Sequence, residues 1–483
     1  MSQRWDAVFI GSGIGALTCG AFLAKAGMRV RILEKHYRIG GYAHSFSRSP
    51  FRFESGIHSV PMGKGGYIDT LLKALDIDKK IETISHGNMF STAFGDNKPF
   101  IMPSSLDEIK EHLFSSFPHE QDSVNALLAD MGSLYRNVIG PLFHFEPKGN
   151  ESNPSILTKY LDHNYQSYIE SYIKDPKLRN IFFAQWPFTG LTPDCTATTF
   201  FTLLFYVHAV EGNHYLKGGF ETLADALASV ITDNGGEVTT NANVTGLHSE
   251  NGSIRHAELE SGETVESRHF ISNTSPHILL EQLISPKDVN RLWKKRAQNL
   301  TCAASAVGVY LGLDTDISSL IPQNIHFWFE NDNFLRIKDR INNCTDSTDD
   351  HLIVLKTPAA SENPTLFLMR FENYNYSSNW KSDKEKIADS MIANADRLFP
   401  GMSSHIKCRV TASPLTFERY TNNTNGSIYG FANLSERYNE AKIPMQTYIP
   451  NLYQTGHWCR GGGVWNVMES GFTVSKMILS KSS

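Results

Sequence analysis

What this chain lacks narrows it before any motif is read. Its six cysteines, Cys19, Cys195, Cys302, Cys344, Cys408 and Cys459, are scattered and none forms a Cys-x-x-Cys pair, so neither a zinc knuckle nor a disulfide framework is expected. No secretory segment precedes the apolar run near Asp6, and a reducing, cytoplasmic setting is the expectation. No uninterrupted apolar run reaches the about eighteen residues that signal a membrane-crossing helix, so no transmembrane segment is expected. Lys and Arg form no basic run and the formal net charge is -5, so nucleic acid is not an expected partner. Neither His-Glu-x-x-His nor Gly-x-Ser-x-Gly occurs, which leaves no sign of a zinc or serine hydrolase. Internal repeats and low-complexity tracts are missing as well.

What is present begins at once. With 483 residues, 41% apolar and 20% charged, the chain reads as a globular protein too long for one core and divided into two domains. Asp6-Ala7-Val8-Phe9-Ile10 suits a strand buried on both faces. It is followed by Gly11-Ser12-Gly13-Ile14-Gly15-Ala16, a small-residue helix over 17–26 that Gly27 can close, and a second strand over 28–33 ending at Glu34. This βαβ pattern predicts a dinucleotide site. Gly11 permits the tight turn, Gly13 lets the backbone approach a pyrophosphate at the helix N-terminus, and Ala16 lets helix and strand pack closely. Glu34, 23 residues after Gly11, is placed to accept hydrogen bonds from ribose hydroxyls.

The chain continues Lys35-His36-Tyr37-Arg38-Ile39-Gly40-Gly41-Tyr42-Ala43-His44-Ser45-Phe46, then Phe51-Arg52-Phe53-Glu54-Ser55-Gly56-Ile57-His58. This resembles the second signature of the FAD-dependent amine oxidase and phytoene desaturase superfamily, and within it the retinol saturase and carotenoid isomerase branch. Gly11-Ser12-Gly13-Ile14-Gly15, Leu23-Ala24-Lys25-Ala26-Gly27 and Phe53-Glu54-Ser55-Gly56-Ile57-His58 carry the likeness. The resemblance implies an α/β fold: a discontinuous Rossmann-type FAD-binding domain, residues 1–75, 216–300 and 416–483, with a mixed sheet-plus-helix substrate domain, 76–215 and 301–415. It implies FAD as cofactor, with Gly40 and Gly41 near the diphosphate.

Two further stretches extend the likeness. Tyr215-Leu216-Lys217-Gly218-Gly219-Phe220-Glu221-Thr222-Leu223 resembles the segment that returns the chain to the cofactor domain, before a helix over 223–233. One strand over 237–247 follows, and the resemblance makes Val244 a backbone contact to adenine. At the C-terminus, Asn451-Leu452-Tyr453-Gln454-Thr455-Gly456 resembles the strand that ends beside the flavin ring, and Gly461-Gly462-Gly463 leads into a helix over 464–479. That helix N-terminus would direct partial positive charge at the flavin. Many relatives have an acidic residue after the glycine matching Gly456; here His457-Trp458-Cys459-Arg460 stands instead.

The cofactor set so implied is Gly11, Gly13, Gly15, Ala16, Glu34, Lys35, Gly40, Gly41, Tyr42, Ala43, Gly56, His58, Val244, Gly456, Gly463 and Val464. Candidate catalytic residues are His457, His58 and Trp458, with His44 a further nearby imidazole, and no metal is expected. Between the anchors, 104–205 reads as mostly helical. Its aromatics Phe182, Phe183, Trp186, Phe188, Phe200, Phe201, Phe205 and Tyr206 read as a helical core, as the wall of a tunnel, or as some of each. Strands are expected over 85–103, 254–259, 264–271, 303–313, 325–330 and 365–371, and a helix over 384–399.

The expected activity is an FAD-dependent oxidoreductase that desaturates, saturates or isomerises a carbon-carbon bond of a hydrophobic, conjugated small molecule. The alternative is an amine or imine oxidase of a biosynthetic pathway with oxygen as acceptor, and a third reading is a flavoprotein without turnover. A long apolar tunnel favours the first; a compact aromatic cage with a carboxylate favours the second. A lipophilic substrate also leaves room for peripheral membrane contact.

Overall fold

The computed structural model describes residues 4–139, 160, 163–345, 350–358, 363–437 and 443–482. Two seven-stranded sheets organise it. In the first, strand Trp5–Ile10 lies between Val30–Leu33 and Thr264–Ser272, parallel to both, with Ala7 opposite Val30 on one side and His269 on the other. Glu237–Thr239 extends one edge and Leu452–Gln454 the other, again parallel. Distant pieces of sequence thus form one parallel sheet. The front half of Thr264–Ser272 leaves it to join an antiparallel meander with Ser253–Leu259 and Val244–Glu250.

Side-chain alternation explains how this sheet is covered. Ala7, Phe9, Ile32, Ile271 and Tyr453 pack with helices Ile14–Lys25, Glu221–Asp233 and Val464–Ser482. Val8, Ile10, Leu33, Phe270 and Leu452 face the meander and its neighbours. Helix Ile14–Lys25 needs its small residues because two helices press on it. A Cβ on Gly20 would meet Ile231 at 3.0 Å, and one on Gly471 would run into the Gly15 carbonyl and meet the Cys19 amide at 3.0 Å.

The second sheet runs, in spatial order, Ile406–Ala412, Ser305–Leu313, Thr365–Glu372, His351–Lys356, Ile325–Phe329, Asn88–Phe94 and Phe100–Pro103. Its pairs are antiparallel except that between Ile325–Phe329 and Asn88–Phe94. Val307, Val309, Leu311, Leu366 and Leu368 pack on helix Trp380–Leu398. Phe327, Ile353, Phe367 and Met369 face the other way, toward helices Gln121–Val138 and Thr198–Glu211.

Several elements differ from expectation for physical reasons. The opening helix begins at Ile14, and the following strand begins only at Val30. Gly27, at φ +87°, ends that helix while the Met28 N–H returns to the Leu23 carbonyl. The single strand expected over 237–247 is two, Glu237–Thr239 and Val244–Glu250. Between them Asn241 takes φ +52°, and Ala242 N–H donates to the Glu34 carbonyl at 2.8 Å, which carries the chain from sheet to meander. Strand His351–Lys356 carries no clear strand signal in the sequence because it starts in polar residues: Asp350 and His351 are buried, bonded to each other at 2.7 Å, with Arg340 on Asp350 at 2.6 Å. Helices over 106–116, 121–138, 165–172, 176–183 and 198–211 occupy the middle region; the part of that expectation on 140–159, 161 and 162 lies outside the described residues.

Candidate functional site

A cavity of roughly 600 Å³ lies between the two sheets, and the sequence anchors meet on its wall. Of the cofactor set, Gly11, Gly13, Gly15, Glu34, Lys35, Gly40, Gly41, Tyr42, Ala43, Gly56, His58, Val244, Gly456, Gly463 and Val464 line it. Ala16 does not. It is fully buried in the packing of helix Ile14–Lys25, the close-packing place read from its size.

The glycine cluster and the Gly-Gly loop are built against each other. Gly11 turns the chain at φ +92°, and Gly40 and Gly41 take φ +100° and +59°, which side-chain-bearing residues rarely adopt. Gly40 N–H donates to the Ser12 carbonyl at 3.0 Å, and Gly13 and Gly40 form a parallel bridge. Gly13 is the N-cap of helix Ile14–Lys25 and, lacking a side chain, leaves the first-turn N–H groups without a side-chain acceptor. Those groups lie at the cavity, where the helix end favours an anion.

Glu34 is fixed at the end of its strand. One carboxylate oxygen accepts from Ser12 N–H at 2.8 Å and from the Ser12 hydroxyl at 2.7 Å, and the other accepts from His36 N–H at 2.8 Å. The bond from Ala242 to the Glu34 carbonyl draws 242–244 alongside, so Val244 and Glu34 border the same end of the cavity.

The C-terminal anchor closes the opposite side. Gly456, at φ +95°, donates its N–H to the Ser470 hydroxyl at 2.8 Å. Asn273, directly after strand Thr264–Ser272, joins the beginning and the tail of the chain. Its backbone N–H donates to the Ile10 carbonyl at 2.9 Å, its side-chain amide donates to the Thr455 carbonyl at 3.0 Å, and its Oδ1 occupies the space a Cβ on Gly13 would need. Gly463, at φ +92° and with nothing within 4 Å of where its Cβ would be, precedes helix Val464–Ser482.

The candidate catalytic residues are placed differently from one another. His457 has its Nε2 buried without a partner among the described residues, and burial pushes its imidazole down to about 4. His58 stacks on Phe367 at 4.8 Å between ring centroids and 7° between planes. Its Nε2 is likewise unpartnered, and burial, then the nearby His86, hold it down at about 3. Trp458 is 2% exposed and donates its indole N–H to Asn423 Oδ1 at 3.0 Å. His44, not on the lining, bonds the Gly41 carbonyl through Nδ1 at 2.5 Å.

Asn422 and Asn423 carry only a local signal in the sequence, that of an Asn-Asn turn after a helix. Asn422 adopts φ +56° and its Oδ1 accepts from Lys35 Nζ; the Asn423 amide donates to the Tyr42 hydroxyl at 3.4 Å. Burial raises that phenol to about 12, so Tyr42 stays protonated.

Beyond these groups the cavity becomes an apolar chamber. Phe200, Leu203, Leu204 and Val207 form one wall; Ile325, Phe327, Ile353, Leu355, Phe367 and Met369 form the facing one. The aromatic stretch divides accordingly. Phe182, Trp186, Phe201 and Phe205 are fully buried core, whereas Phe188 and Phe200 line the chamber. Among the described residues two carboxylates are on the lining, and both have partners: Glu34 as described, and Glu469 with Arg460 at 2.9 Å.

The donor set fits an adenine dinucleotide. Two helix N-termini open on one cavity, glycines leave room where side chains would stand, and a carboxylate is fixed at the far end. The sequence profile described as Flavin containing amine oxidoreductase matches residues 17–479. The chain is 24% identical to the carrot (Daucus carota) chloroplastic prolycopene isomerase, covering 97% of this chain and 79% of that protein. It is 24% identical to all-trans-retinol 13,14-reductase of Rattus norvegicus, covering 99% and 86%. Among solved structures, an oxidoreductase from Methanosarcina mazei superposes with a TM-score of 0.69 at 16% identity, over 98% of this chain and all of that one (100%). Cyclohexylamine oxidase from Brevibacterium oxydans gives 0.64 at 14% identity, over 99% and 100%. These structural likenesses establish the amine oxidase fold. A profile match across nearly the whole chain goes further: this protein belongs to the flavin-containing amine oxidoreductase family and is an FAD-dependent oxidoreductase.

Proposed function

We propose that this enzyme desaturates, saturates or isomerises a carbon-carbon bond in a hydrophobic, conjugated small molecule. The observation that carries the reading is the chamber itself: its walls are aliphatic and aromatic, and among the described residues the carboxylates on the lining are Glu34, assigned here to the ribose, and Glu469, paired with Arg460. Burying an uncompensated cation in such surroundings is costly, whereas a polyene gains from every apolar contact. The likeness to a prolycopene isomerase and a retinol reductase supports the same substrate class.

In this reading residues 1–75, 216–300 and 416–483 hold FAD and 76–215 and 301–415 form most of the substrate chamber. The backbone at Gly11, Gly13, Gly15, Gly40 and Gly41 would take the diphosphate, Glu34 the ribose, Val244 the adenine side, and Gly456, Gly463 and Val464 the flavin side. When bound, FAD supplies the two-electron exchange of hydride with carbon. The protein positions the substrate, excludes water and handles the proton. His457 and His58 line the cavity with an unpartnered Nε2 and are the candidates to take a proton from the carbon beside the one that exchanges hydride, although burial, which keeps both neutral, also weakens them as bases. Trp458, with its N–H committed to Asn423, shapes the pocket. The chamber reading extends to a cytoplasmic enzyme that meets its lipophilic substrate by peripheral membrane contact; among the described residues no helix is long and apolar enough to cross a bilayer.

The test is anaerobic mixing of the flavin-loaded protein, oxidised and reduced, with a panel of polyenes, followed by the flavin spectrum and product analysis. A spectral change coupled to an altered polyene is expected. Hydrogen peroxide release with cyclic or linear amines, and inertness toward every polyene, would overturn the proposal in favour of amine oxidation.

A further inference from the structure

Helix Thr198–Glu211 contributes five residues to the chamber wall, and four of them, Phe200, Leu203, Leu204 and Val207, are apolar. The fifth is His208, which is 6% exposed. Its Nδ1 lies 2.8 Å from the Leu204 carbonyl oxygen one turn back. A carbonyl only accepts, so Nδ1 carries the hydrogen and Nε2 is left with a lone pair. The imidazole is further held by Phe188, stacked at 5.4 Å and 22°. Nε2 therefore lies on the side of the ring away from its own helix, and among the described residues it has no partner. Burial pushes the imidazole down to about 4, which keeps it neutral.

The surroundings offer this acceptor little. Phe327 meets Phe188 edge-on at 5.2 Å, and Tyr429, another polar group on the lining, spends its hydroxyl hydrogen on the Pro187 carbonyl at 2.9 Å. Nε2 is an unpaired acceptor in an otherwise apolar wall, so what enters the chamber can supply its donor. A carboxylate would set lone pair against lone pair, and a hydrocarbon or an ether has no hydrogen to give.

We propose that His208 is a specificity-determining residue, accepting a hydrogen bond from a hydroxyl on the hydrophobic substrate and so selecting polyene alcohols over the matching hydrocarbons, ethers and carboxylates. The inference rests on the polyene reading above and narrows it.

The experiment uses flavin-loaded wild type, His208→Phe and His208→Gln, with a polyene alcohol, its methyl ether and the parent hydrocarbon as probes. Equilibrium binding is read by quenching of protein fluorescence, with flavin content and unfolding temperature as controls. Wild type should bind the alcohol about tenfold more tightly than the ether, the worth of one hydrogen bond. His208→Phe should bind both alike, and His208→Gln, which retains an acceptor, should keep part of the preference. Equal binding of all three probes by wild type, with one converted, leaves the polyene reading standing and overturns the role of His208. Retained preference in a folded, flavin-loaded His208→Phe does the same. Absence of both binding and conversion for every probe overturns the polyene reading and this inference together. Should His208→Phe fail to fold, the wild-type ratio and His208→Leu decide in its place.

Discussion

Two residues at the cofactor end carry consequences that do not depend on turnover. Gly13 is held to glycine by the protein itself, because Asn273 Oδ1 fills the space a methyl would take. Gly13→Ala should therefore destabilise the flavin-free protein by about 1–3 kcal/mol, the usual cost of overpacking. Asn273→Ala in the same chain should return part of that loss in thermal unfolding. A Gly13→Ala protein that loses FAD affinity but keeps its flavin-free unfolding temperature would contradict this account. Gly11, Gly40 and Gly41 are legible in sequence because a backbone shape that other residues rarely adopt is written in a single letter. Asn273 is not, because its importance lies in contacts with residues far away in the chain, and locally it looks like a turn.

Glu54 gives a pH signature. It is 6% exposed in strand Phe51–Glu54, accepts from Phe220 N–H at 3.1 Å and from the Tyr215 hydroxyl at 3.0 Å, and burial raises it from 4.5 to about 7. The unfolded chain therefore gives up this proton first as pH rises. Its stabilising effect is fully present below about 4.5, declines up to about 7 and changes no further above. Glu54→Gln should flatten the fall in unfolding free energy between pH 5 and 7 by roughly 1–3 kcal/mol. An unchanged slope in denaturant titrations at several pH values would count against a buried, protonated Glu54.

At the scale of elements, the contact between helices Ile14–Lys25 and Val464–Ser482 ties the cofactor loop to the tail. Gly471 rests on the backbone of the first helix, and its neighbour Ser470 accepts the Gly456 N–H. Gly471→Val should push the helices apart, costing about 1–3 kcal/mol and weakening retained FAD more than tenfold on gel filtration. Equal flavin occupancy in variant and wild type would show that the helix contact does not shape the site. The opening βαβ unit is legible because its strand and helix have clear hydrophobic signatures and lie consecutively. The chamber wall is not: strand His351–Lys356 hides behind Asp350 and His351, whose polarity is satisfied by groups from other elements, Arg340 on Asp350 and the Phe371 N–H on His351 Nε2.

For the whole molecule, the decisive feature is one cavity that is polar and glycine-lined at one end and apolar at the other. The ends should be separable by mutation. Leu203→Asp places a charge on the apolar wall without touching the dinucleotide end. It should lower polyene turnover at least tenfold, several kcal/mol being the cost of burying a charge, while flavin stoichiometry stays at the wild-type level. Joint loss of cofactor and turnover would mean the two ends are not independent.

The parallel sheet itself imposes an order on biosynthesis. Leu452–Gln454 completes one edge of a sheet whose centre is Trp5–Ile10, and the tail that follows supplies Gly456 and Gly463 to the cavity. Synthesis must therefore have passed Gly463 before these walls of the cavity can come together, so stable FAD loading should follow the making of that stretch. Stalled nascent chains ending before Leu452 should emerge colourless however much FAD surrounds them.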